Sequence, residues 1–168
     1  MTTPITPSHA PLAEKPGPAV RFATLASLLP LVGEHLATSA WITVDQHRIN
    51  LFAEATGDHQ WIHVDPVLAA AGPFGTTIAH GFLTLSLLPE LAASAMHIDD
   101  VKMGVNYGLN RVRFMAPVPS GSRLRGHVRL KAYEVIPGGA QLTMEVSIER
   151  EGEAKPACVA ETVSRRFT

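Results

Sequence analysis

The chain has 168 residues, 46% of them apolar, and its 14 basic and 15 acidic side chains leave a formal net charge of −1. That is enough apolar material for one domain with a core. The near-neutral balance excludes wholesale binding to nucleic acid or to an anionic membrane surface. The N-terminus lacks the basic start and apolar core of a secretory signal, and no apolar run approaches the ~20 residues of a membrane span, so a cytoplasmic protein is expected.

Residues 1–21 contain Pro4, Pro7, Pro11, Pro16 and Pro18 and read as a disordered lead-in, leaving residues 22–168 as a single domain. A short helix is expected over 26–37, interrupted by Pro30 and loosened by Gly33, then a brief strand over 40–44. Asp45 is a suitable N-cap for a helix carrying Ile49, Phe52, Ala53 and Thr56 on one face and ending at Gly57. Asp65-Pro66 reads as the N-cap and first residue of a short helix reaching Ala71, and residues 72–77 as a loop. A long helix from Gly81 to Met96 follows, almost free of charge and therefore expected to be buried on nearly all sides, with Pro89 bending it or tightening a turn.

From about Lys102 the apolar period becomes two. Strands are expected over 102–115, 122–136, 140–151 and 156–167, separated by Pro- and Gly-rich turns. Cys158 lies in the last of these and reads as a small buried hydrophobe. Arg123, Arg125, His127, Arg129 and Lys131 share one face of the second strand. A hairpin centred on Gly138 sets Arg125 opposite Glu151, His127 opposite Glu149 and Lys131 opposite Glu145, which suits a solvated face better than a phosphate site. These elements predict an α+β domain in which a curved antiparallel sheet wraps a central helix.

Two stretches could carry chemistry. Asp58 follows the helix-ending Gly57, near the negative end of the helix dipole, where an anion is disfavoured by up to ~1 kcal/mol. Stability does not explain an acid there, whereas accepting a proton could. His63 lies five residues on, in a segment expected to be irregular, so the two side chains can address one water. Spacing alone leaves open that Asp58 is a turn residue and His63 a partner of Asp65. In Ala79-His80-Gly81-Phe82, Gly81 permits a close approach to a ligand, and first-turn N–H groups are free donors that could polarise a carbonyl. The alternative for Gly81 is a tight helix entry, and His80 reads as structural before catalytic.

Phe52-x-x-x-Thr56-Gly57-Asp58-x-x-x-x-His63-x-Asp65-Pro66, followed by Ile78-Ala79-His80-Gly81 and by Val112-x-Phe114-x-x-Pro117-Val118-x-x-Gly121, resembles the signature of MaoC-like, (R)-specific enoyl-CoA hydratases. Trp41-Ile42-Thr43, residues 59–63 and residues 72–82 are most similar to the branch related to nodulation protein N and a small mycobacterial (R)-hydratase. The resemblance implies a hot-dog fold, a homodimer with its site at or beside the subunit interface, and an acyl-CoA or acyl-carrier thioester as substrate. It maps the catalytic acid and base onto Asp58 and His63, the carbonyl-binding amide onto Gly81, and a supporting polar helix residue onto Ser86. Gln60 and Trp61 depart from the Asn and Pro of many members, which bears on loop geometry and pocket shape. No metal or nicotinamide is expected, because no metal-spaced cluster or dinucleotide fingerprint is present. A hot-dog thioesterase and a non-catalytic acyl-binding subunit are the competing functions.

Overall fold

The computed structural model describes residues 19–168. The expected lead-in falls outside that span as far as residue 18. Its last two residues are instead ordered: strand β1, Val20–Phe22, pairs in parallel with β4, Met96–Ile98. A 3-10 turn, Leu25–Leu31, follows, with the Thr24 side chain accepting from the Ser27 N–H. The helix expected over 26–37 therefore stops early. Pro30 cannot donate to a continuing helix, Gly33 takes φ 95°, and residues 35–38 become strand β2, His35–Thr38. Pairing with a neighbouring strand outweighs local helix propensity there.

Strand β3, Ile42–Val44, leads to α1, Gln46–Thr56, which starts and stops where its caps require. Asp45 accepts from the Arg48 N–H at 2.8 Å, and Gly57 closes the helix at φ 77°. Ile49 and Ala53 are buried while Thr56 is exposed. A single turn, α2, Trp61–Val64, occupies the stretch expected to be irregular. Asp65 ends it and caps α3, Pro66–Ala70, accepting from the Val67 and Leu68 N–H groups at 3.0 Å each.

The long helix expected from Gly81 to Met96 is two helices, α4, Gly81–Ser86, and α5, Leu88–Ala95. Pro89 has no N–H for the Leu85 carbonyl, and Leu87 tightens the turn by donating to the Thr84 carbonyl at 3.3 Å. Met96 leaves the helix to begin β4. Burial is one-sided: Leu83, Leu87, Leu88, Leu91 and Ala95 are buried, but Phe82 is 69% exposed. The expectation of burial on nearly all sides fails for the single chain because the sheet reaches only one side of the helix pair.

The remaining strands are β5, Met103–Phe114; β6, Ser122–Ile136; β7, Gly139–Arg150; and β8, Cys158–Phe167, each within two residues of its expected bounds. Their order is β2-β6-β7-β8-β5, with β3 also on β6, and every pairing in this sheet is antiparallel. Leu91 packs where β6 has Gly126; a Cβ on that glycine would sit 3.3 Å from Leu91 Cβ, so its absence lets the helix approach the sheet. Alternate residues Leu124, Val128 and Leu130 of β6 and Leu142, Met144, Val146 and Ile148 of β7 complete the core. Cys158 is fully buried in it, and burial pushes its thiol up to about 11.

The charged outer face is solvated as expected, with a shifted register. The turn is Pro137-Gly138, with Gly138 at φ 76° and Ile136 opposite Gly139. A bulge between Leu130 and Ala132 then moves the strands again, so Arg125 opposes Glu149 and His127 opposes Ser147. The ion pairs are Arg123–Glu151 at 2.6 Å, Arg125–Glu149 at 2.6 Å and Lys131–Glu145 at 3.9 Å; His127 Nε2 still reaches Glu149 at 2.7 Å. Strand β5 is an edge, and Met103, Val105, Tyr107, Leu109 and Phe114 are all exposed along it. Among the described residues no helix is long and apolar enough to cross a membrane.

Candidate active site

The site forms where the segment 77–81 is pinned between two parts of the chain. On one side, the Ile78 N–H donates to the Ile62 carbonyl at 3.0 Å. On the other, the Ala79 and Ser120 N–H groups bond the Val118 and Thr77 carbonyls at 2.7 and 2.8 Å. Gln46, at the start of α1, ties the assembly together: its amide donates to the His63 carbonyl at 2.8 Å, and it accepts from the Thr77 hydroxyl. These bonds bring α2 and the start of α4 side by side.

His63 is buried on the inner face of α2. Its Nδ1–H donates to the Ile78 carbonyl at 2.7 Å, leaving Nε2 as the nitrogen able to take a proton. Burial holds this imidazole below its ordinary value of 6.5, and the neighbouring His80 acts in the same direction; the Ile78 bond and the Asp58 charge oppose the shift without reversing it. Asp65, one alternative partner for His63, is engaged in capping α3 instead.

Asp58 is exposed just beyond α1, and among the described residues its carboxylate accepts a single long 3.4 Å bond, from the Gln60 N–H. His80, 2% exposed, lies beneath both residues. Its Nε2–H donates to the Asp58 backbone carbonyl at 2.9 Å, and its ring stacks on that of His63 with centroids 3.8 Å apart and planes at 27°. Phe52 covers it from α1 at 5.0 Å. His80 Nδ1 is buried without a hydrogen-bond partner among the described residues.

One ligand-type atom from each of Asp58, His63 and His80 lies within 4.8 Å of the others, a cluster that no spacing in the sequence announced. Two of the four imidazole nitrogens are already donating to carbonyls, and nearly parallel stacked rings do not converge their lone pairs on one point. The arrangement suits proton transfer better than ion binding.

Gly81 opens α4, and no side chain caps its first turn. With His63, Phe74, Thr84, Phe114 and Val118 it lines a cavity of about 390 Å³. A Cβ on Gly81 would lie 3.0–3.1 Å from the Phe114 ring, so glycine keeps this entrance open. Ser86 is not brought to the site: its hydroxyl donates to the Phe82 carbonyl at 2.7 Å and it lines a second, larger groove. Trp61, where the resemblance leads one to expect Pro, occupies the first position of α2, a position Pro also favours, and its ring packs against Gly72. The departure therefore preserves the turn that carries His63. Ile78 and Phe114 entered the sequence reading only as parts of the matched pattern, without a role, and Gln46 did not enter it; each acts through a long-range contact.

Comparison with known proteins places the chain in a family. The MaoC like domain family model matches residues 28–153. The chain is 55% identical over 145 residues to 3-hydroxyacyl-thioester dehydratase Z of Mycobacterium tuberculosis, covering 86% of this chain and 96% of that protein. The chain belongs to the MaoC-like family. Nodulation protein N of Rhizobium leguminosarum bv. viciae is 51% identical over 145 residues, covering 84% of this chain and 89% of that one. Among solved structures, the unliganded R-hydratase PhaJ1 of Pseudomonas aeruginosa superposes with a TM-score of 0.66 at 23% identity, over 81% of each chain. The MaoC-like fold is thus the hot-dog arrangement of antiparallel sheet around a central helix, here with that helix broken at Leu87.

Proposed function

We propose that this MaoC-like chain catalyses the reversible syn hydration of a trans-2-enoyl thioester, carried by CoA or an acyl carrier, to the (R)-3-hydroxyacyl thioester. The observation that carries the reading is the juxtaposition of the Asp58 carboxylate with the His63 imidazole, whose Nδ1 is held by the Ile78 carbonyl, beside a cavity opened by Gly81. A water held by the pair attacks C3 and gives one proton to it. The electrons of the double bond move onto the thioester oxygen, where the Gly81 N–H donates to the developing charge. As they return, the pair delivers a proton to C2 on the face from which water came, which makes the addition syn. The chemistry calls for no metal or nicotinamide.

The family membership and the 55% identity to a protein named for 3-hydroxyacyl-thioester dehydration support the reaction class. The long exposed edge strand β5 supports a homodimer, since an unpaired apolar edge is covered in a stable fold. The test is loss of enoyl-thioester absorbance without release of free thiol. Thiol release would identify a thioesterase, and neither change across a range of acyl lengths would leave an acyl-binding subunit.

A further inference from the structure

A groove of about 800 Å³ runs between the paired helices α4 and α5 and the strands β5 and β8. It has no lining residue in common with the catalytic cavity but is built on the same helix α4 and strand β5. Helix α4 gives Gly81 and Thr84 to the cavity and Leu85 and Ser86 to the groove; β5 gives Phe114 to the cavity, then Leu109 and Gly104 to the groove. From Phe114 to Gly104 is ten residues of strand, roughly 33 Å at ~3.3 Å per residue, so the far end lies a long acyl chain away from the reacting carbons.

The walls are apolar, with Leu88, Ala92, Val128, Met144 and Val146, but the far end is not. There the concave face of β8 presents Ser164 and then Arg166, beside Asn106 of β5. Room for Arg166 is made by Gly104: a Cβ at that position would sit 2.0 Å from the guanidinium. Among the described residues the Arg166 side chain has neither a hydrogen bond nor an ion pair. Arg123, Arg125, Arg150 and Arg165 on the same sheet have acceptors, while Arg111 of β5, outside the groove, shares this lack of a partner among the described residues. Burial also disfavours its charge, a cost that a bound anion offsets.

We propose that this groove takes the acyl chain of the thioester and that Arg166 receives an anionic group at its far end, so that the substrate class is a long-chain 2-enoyl thioester terminating in a carboxylate. The assignment rests on the hydratase reading for its chemistry, and on the groove for its specificity. An apolar channel ending in an unpaired cation discriminates by the charge of the terminus, because a methyl end gives the half-buried guanidinium no acceptor.

The experiment compares two trans-2-enoyl-CoA thioesters of equal, long chain length, one ending in methyl and one in carboxylate, on the full chain and on Arg166→Met and Arg166→Lys. The wild type is expected to favour the carboxylate by at least ~10-fold in kcat/KM, the scale of a charged hydrogen bond. Arg166→Met should lose that preference while keeping the methyl-ended substrate, and Arg166→Lys should retain part of it. Equal or reversed preference in the wild type overturns the proposal. So does an equal loss on both substrates in the folded variants, which would place Arg166 against the carrier or the partner subunit. If neither thioester is hydrated, the hydratase reading falls, and calorimetry decides the groove separately. Tighter binding of a long α,ω-dicarboxylic acid than of the matched monocarboxylic acid, lost in Arg166→Met, supports it; no difference overturns it.

Discussion

His80 lies flat against His63, ring centroids 3.8 Å apart, while its other edge holds the backbone carbonyl of Asp58 at 2.9 Å. One buried ring therefore positions both members of the proposed catalytic pair, although it need not touch substrate. His80→Phe keeps a ring for stacking but loses the donor, freeing Asp58 to move. We expect kcat to fall by about 10²-fold, the usual cost of a displacement near 1 Å, with KM changed much less. His80→Gln, which retains an N–H, should recover part of that loss. A purely structural role predicts instead that Tm falls in both variants while kcat per folded molecule stays level.

The depressed basicity of His63 sets the sign of the pH dependence. Its folded pKa lies below the ordinary 6.5 because burial disfavours the charged ring. The unfolded chain thus binds a proton first as pH falls, and the stability contributed by neutral His63 is complete above 6.5 and is lost between 6.5 and the lower folded value. A His63→Gln variant should show a flatter fall in Tm through that window. In the same way, any acid limb of kcat/KM due to His63 should lie below pH 6.5. A limb assigned to His63 above that pH would contradict the burial argument.

Gly81 separates activity from stability. Alanine is better than glycine inside a helix by roughly 0.5–1 kcal/mol, and Gly81 has no positive φ to lose. Its new methyl would press on the half-exposed Phe114 ring, which can yield. Gly81→Ala should therefore leave Tm unchanged or slightly raised, yet lower kcat/KM by about tenfold as the entrance narrows. A fall in Tm with activity intact would show that Gly81 serves only the helix entry.

Much of this architecture was legible because short-range rules dominate it. The strands after Lys102 announced themselves by alternation and by their Gly- and Pro-rich separators, and α1 by Asp45 and Gly57. The failures are long-range. Residues 35–38 look helical until β6 offers them a ladder, and Val20–Phe22 has a role only because Met96–Ile98 lies beside it. The register slipped because a bulge near Leu130 leaves no mark in the pattern of alternation. At the site, Asp58 stood out as an acid at the wrong end of a helix dipole. The carbonyl that orients His63, by contrast, is backbone, and any residue at 78 supplies one.

The exposed edge β5 predicts its own cover. Val105, 43% exposed there, would be buried if two copies pair along this edge. Val105→Lys should then shift the protein from dimer to monomer in sedimentation at micromolar concentration and reduce hydration with it. A fully active monomer, wild type or variant, would show that one chain is sufficient.

The catalytic pair gives the sharpest test, because two readings of the same residues predict different arithmetic. If Asp58 and His63 hold one water, removing either side chain removes the same arrangement. Asp58→Asn keeps shape but loses the acceptor charge, and His63→Ala loses the proton-accepting nitrogen. Each should lower kcat by at least ~10²-fold, the scale of a positioned acid–base group. The double variant should be little worse than the weaker single, since groups acting as a unit are strongly non-additive. Asp58 is exposed, with a single 3.4 Å bond from the Gln60 N–H among the described residues, so Asp58→Asn should cost little stability. His63 is buried and bonded to Ile78, so His63→Ala should lower Tm as well. That contrast makes Asp58→Asn the cleaner probe. Near-wild-type hydration by folded Asp58→Asn, or losses that multiply in the double variant, would refute the shared water.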